Sequence, residues 1–81
     1  MKEYKVTLNN LTDAAAFVEQ VEKYDIQGSI QYKDREVPSI SLISIIASNI
    51  IGRKFVFRID DTTEKENIDS WKKSVQKLSF L

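Results

Sequence analysis

The side chains able to do chemistry in this chain are defined first by two absences: there is no histidine and no cysteine. Imidazole bases, phosphohistidine, thiolate nucleophiles, disulfides and thiolate metal sites are therefore all excluded. What remains is carboxylates, hydroxyls and cations. Asp60, Asp61, Glu64 and Glu66 cluster, but their spacing fits no calcium loop, and acids at a helix start are ordinary dipole partners. No metal site follows. Arg53-Lys54-Phe55-Val56-Phe57-Arg58 interleaves rings with cations, a pattern whose ring faces can stack on bases. The glycines of such strands are missing, and inward-facing rings in a central strand explain the pattern more simply. Ser41 stands before an apolar run, where a hydroxyl caps a helix.

The totals bound what these groups can serve. The chain has 81 residues, 42% of them apolar and 30% charged, with twelve basic and twelve acidic side chains. That length is enough for a single domain, residues 1–81, burying roughly 60–65% of its unfolded surface. With net charge zero, no overall field draws the chain to nucleic acid or to an anionic membrane. The apolar stretch from Ile40 to Ile51 is interrupted by Ser41, Ser44, Ser48 and Asn49 and is too short to span a bilayer. No signal-peptide core follows the charged N-terminus, so the expected location is the cytoplasm.

The elements that position these groups follow from periodicity. Tyr4, Val6 and Leu8 alternate as a first strand. Asn10 is a helix cap, with Asp13 three residues on, and Ala14, Phe17, Val18, Val21 and Tyr24 recur at helical spacing. Ile26, Gly28, Ile30 and Tyr32 predict a second strand, Lys33-Asp34 a tight turn, and Arg35 to Val37 a third strand ended by Pro38. Ser39 or Ser41 caps a short helix through Leu42, Ile43, Ile45 and Ile46, closed near Asn49, although the β-branched isoleucines would equally suit a strand. Phe55, Phe57 and Ile59 predict a fourth strand. Thr63 and Glu66 match a capping box before a final helix with the stripe Ile68, Trp71, Val75 and Leu78. The order β-α-β-β-α-β-α describes an α+β fold with three helices on one face of a four-stranded, mostly antiparallel sheet.

Several folds share that order, and the residues narrow it. Lys23-Tyr24-Asp25, Ile30-Gln31-Tyr32, Val37, and Ser41 followed by Leu42, Ile43, Ile45 and Ile46 resemble the central part of HPr, the histidine phosphocarrier of the bacterial sugar phosphotransferase system. Members of that family typically read Lys-Tyr/Phe-Asp/Asn, Leu-Glu-Tyr and Lys-Ser-Ile-Met-Gly-Val-Met in these places. The match runs without a gap from Phe17 to about Ile46, and more loosely over nearly the whole chain. The resemblance implies an HPr-like open-faced β-sandwich. Acylphosphatases share a similar layout, but their glycine-rich anion loop with an arginine has no counterpart in Asn9 to Asp13.

The chain departs from the family where the family does its chemistry. HPr proteins carry Gly-Ile-His-Ala-Arg-Pro at the start of the first helix. Here Asn9-Asn10-Leu11-Thr12-Asp13-Ala14-Ala15 is about three residues shorter and holds no histidine, arginine or proline. No catalytic residue is assigned, and histidine phosphotransfer is not expected. The second feature of the family partly persists: Ser41 falls on the serine that a kinase phosphorylates in Gram-positive HPr and in its histidine-less paralogue, catabolite-repression HPr. Pro38-Ser39-Ile40 replaces the usual Asn-Leu-Lys, and Ser44 replaces a glycine. Leu42, Ile43 and Ile46 match the family's partner-contact positions. The expectation is a non-enzymatic, cofactor-free bacterial protein acting through protein contacts on its second-helix surface. Its partner would be a kinase, a transcriptional regulator or a second copy. Alternatives are a seryl-phosphorylated regulator with Ser41 as acceptor, and a small plait-fold enzyme or ligand-binding domain sharing only the layout.

Overall fold

Alternation of buried Phe55, Phe57 and Ile59 with Lys54, Val56 and Arg58 makes β4 (Lys54–Ile59) the strand around which the sheet forms. The computed structural model describes residues 2–37, 40–78 and 80. Here β4 pairs with β1 (Lys2–Thr7) on one side and β2 (Gly28–Tyr32) on the other, and β2 pairs with β3 (Arg35–Val37). The order is β1-β4-β2-β3 and every described pairing is antiparallel. The predicted Lys33-Asp34 turn joins β2 to β3, with Lys33 at φ 54°. Gly28 is required by close approach: a Cβ there would collide with the carbonyl oxygen of Arg58. Pro38 and Ser39, expected to end β3 and to offer a cap, lie outside the described residues.

Three helices, α1 (Leu11–Lys23), α2 (Leu42–Ala47) and α3 (Lys65–Lys77), follow the predicted order. Helix α1 buries Ala14, Phe17, Val18 and Val21 and ends at Tyr24, after which Asp25 turns the chain at φ 51°. Phe17 is the centre of the core. Its ring meets Phe57, Phe55, Phe80 and Trp71 edge-on, with centroids 5.3, 6.1, 6.3 and 6.4 Å away. Trp71 is fully buried, as its place on the stripe implied, and its indole N–H has no acceptor among the described residues.

Two local expectations change. The N-cap of α3 is Glu64, without a side-chain cap bond, and the Thr63–Glu66 capping box does not form. Buried Thr63 instead accepts from the Gln27 N–H at 2.9 Å and donates to the Gln27 carbonyl at 3.1 Å. With its hydroxyl turned to the backbone just before β2, Thr63 serves the buried tertiary partner rather than the helix start. Leu78 is 43% exposed rather than buried because it is the C-cap, where the helical spacing of the stripe ends.

Candidate interaction surface at the starts of α1 and α2

The start of α1 is closed by its own polar groups. Asn10 is extended, and its Oδ1 accepts from the Asp13 N–H at 2.8 Å. Asp13 answers by accepting from the Asn9 N–H through Oδ2 at 3.2 Å. This is the reciprocal logic of a capping box, with the return bond made one residue earlier. A carboxylate thus holds the place where an anion would approach the helix dipole. The adjoining chain is anchored by Gly52, whose N–H donates to the Leu8 carbonyl at 2.6 Å and whose φ of 82° suits glycine.

The start of α2 uses the same device with different surroundings. Ser41 is extended, its Oγ accepts from the Ser44 N–H at 3.1 Å, and it donates to Ser44 Oγ at 2.8 Å. The Ser48 hydroxyl donates to the Ser44 carbonyl at 2.8 Å, and Arg35 reaches the Ser48 carbonyl at 3.2 Å. Helix α2 has no acidic residue in its first turn and no basic one in its last. Ile45 is fully buried and half-buried Leu42 packs against the core. Ile43 and Ile46 face outward, 80% and 49% exposed.

The residues expected at a partner surface therefore divide. Ile43 and Ile46 are available, whereas Leu42 is partly committed to packing. Leu11, which sequence reasoning did not single out, is also exposed: it is 56% exposed at the first position of α1, and α1 packs against α2. Three residues before Ala14, it sits on the extrapolated apolar stripe, which reads as buried. The signal was its position directly after the cap. Ser41 is half-buried with its hydroxyl engaged at both donor and acceptor. Elsewhere, the described residues hold no group of three or more acids able to bind a metal, and no helix among them is long and apolar enough to cross a membrane. Phe55 and Phe57, weighed as base-stacking rings, are buried in the core.

No protein-family model matches the chain, and no curated sequence matches it significantly. Its structure is similar to the crystal structure of HPr-C-His from Thermoanaerobacter tengcongensis, with a TM-score of 0.68 over 94% of this chain and 92% of that one, at 21% sequence identity. Together with the sheet order and the three helices, this likeness establishes that the chain has an HPr-like fold.

Proposed function

We propose that this protein is an HPr-like interaction module without histidine phosphotransfer, acting through the apolar surface of Leu11, Ile43 and Ile46. The observation that carries this reading is the exposure of Ile43 and Ile46 on a helix bearing no charge. Exposed apolar side chains on a helix without charge, next to an element with another at its start, favour protein contact over chemistry. The start of α1 supports the same reading. It offers no histidine, and Asp13 opposes the approach of an anion. A protein partner such as a kinase or a transcriptional regulator, in the bacterial cytoplasm, is the setting this implies.

Incubation with enzyme I and phosphoenolpyruvate should leave the intact mass unchanged; an added phosphoryl group would refute the reading. Ile43→Asp and Ile46→Asp should each abolish binding to a purified partner while the circular dichroism spectrum stays that of the parent. If binding survives both, the surface is wrong. A second reading rests on the position of Ser41 at the start of α2, where a phosphate would meet helix N–H groups. It requires the Ser41–Ser44 hydroxyl bond to open. Incubation with an HPr kinase tests it, and labelling that persists in Ser41→Ala would reject it.

A further inference from the structure

Side chains of the sheet alternate between the core and an open face. Buried Val6, Ile30, Phe55 and Phe57 belong to the core that the helices complete, so their neighbours Lys5, Gln31, Lys54 and Val56 turn the other way. The register sets these side by side. Val56 lies between Lys5 on β1 and Gln31 on β2, and Lys54 stands opposite Thr7. Lys33 follows at the turn after β2. These residues, with Tyr32, line a shallow depression of about 290 Å³. Lys5, Lys33 and Lys54 are exposed around its rim, and Val56 is half-buried.

The charge around this depression is not balanced within the protein. Among the described residues, Lys5, Lys33 and Lys54 have no ion-pair partner. Lys33 Nζ lies 5.4 Å from the centre of the Tyr32 ring, and Arg53 Nη1 adds a further cation by donating to Tyr32 Oη at 3.4 Å. The nearby acids are held elsewhere. Glu3 accepts from Arg58 Nε at 2.8 Å, and Arg58 Nη2 donates to Gln31 Oε1 at 2.7 Å. Asp34 and Glu36, on the turn and on β3, lie outside the lining. A chain of net charge zero thus concentrates uncompensated positive charge at one end of its open sheet face.

Spacing and the groups that are missing define the occupant. Lys5 and Lys54 are diagonal neighbours on adjacent strands, about 7–8 Å apart. An extended peptide presents alternate side chains on one side at about 7 Å, so successive carboxylates can meet the lysines one by one. Lysines are point charges without the fork that fits arginine to phosphate. No ring here is free for base stacking, since Phe55 is buried and Tyr32 packs against the core beneath Lys33. These features favour an acidic polypeptide over a nucleic acid. We infer that the open sheet face around Lys5, Lys33 and Lys54 binds an extended acidic segment of a partner protein. The face lies away from the helices, is separate from the surface of Leu11, Ile43 and Ile46, and does not depend on the function proposed above.

Fluorescence anisotropy with a labelled peptide of alternating glutamate and serine tests it. The peptide should bind saturably at low ionic strength and more weakly as salt is added. Lys5→Glu combined with Lys54→Glu should weaken binding about tenfold or more, because exposed attractions become repulsions. Lys73→Glu combined with Lys77→Glu changes the net charge equally at exposed positions of α3 and should leave the affinity nearly unchanged. Circular dichroism checks that both variants fold; should the sheet variant not fold, Lys33→Glu in the exposed turn takes its place. An anisotropy that stays flat up to roughly millimolar protein, or an equal loss in the sheet and helix variants, would overturn the inference. So would tighter binding of an oligothymidylate of the same charge, which would make this a nucleic-acid surface.

Discussion

Helices α1 and α2 both begin with an extended residue whose side chain accepts from the N–H three positions on, Asn10 to Asp13 and Ser41 to Ser44. The backbone device is the same and its setting is opposite. At α1 a carboxylate closes the site against anions. Helix α2 has no charged residue of its own, and the exposed side chains beyond the cap are isoleucines. The comparison teaches that a capped helix start is not by itself a functional site. What surrounds the cap decides whether the end is closed by a carboxylate, as at α1, or bordered by exposed apolar side chains, as at α2.

The contrast can be broken from either side. The largest effect belongs to the inner face of α2: Ile45→Ala should cost about 2–5 kcal/mol in urea unfolding, since a fully buried isoleucine leaves a cavity. Next comes the α1 cap. Asn10→Ala should cost about 1 kcal/mol, and Ser41→Ala less than that, because α2 spans six residues against thirteen in α1. A cost at Ser41 equal to or above that at Asn10 would mean that α2 is coupled to the core more tightly than its exposed face suggests. Asp13→Asn should cost about 0.3–1 kcal/mol at low ionic strength, shrinking with added salt as the helix-dipole contribution is screened. Smallest of all, Ile43→Ser should stay within about 0.5 kcal/mol in stability and still abolish partner binding. A large loss of stability there would place Ile43 in the packing and remove it from the interaction surface.

Much of the fold was legible because it rests on periodicity. The rings of β4, the stripe of α1 and the Lys33-Asp34 turn all formed where alternation and turn chemistry placed them. The candidate surface was only half legible. Isoleucine-rich α2 announced an excess of apolar side chains, and six residues of helix can turn few of them inward. Which ones face out depends on how the helix rolls against its neighbours. Leu11 and Leu78 show the same limit, since both lie on apolar stripes and both are exposed at helix ends. Thr63 shows another: its hydroxyl had a local use and a distant one, and sequence sees only the local one.

The sequence by itself determined most of the order of elements, the cap of α1 and the exclusion of histidine chemistry, because these depend on residue identity and near-neighbour spacing; it left Ser39 or Ser41 open as the cap of α2, where the structure has Ser41. Only the tertiary structure decided that Ile43, Ile46 and Leu11 are exposed, that Thr63 ties to Gln27, and that β1 is an edge of the sheet. Coverage and pairing are relations between segments distant along the chain. No local pattern sets them until the sheet order and the packing of the helices are fixed.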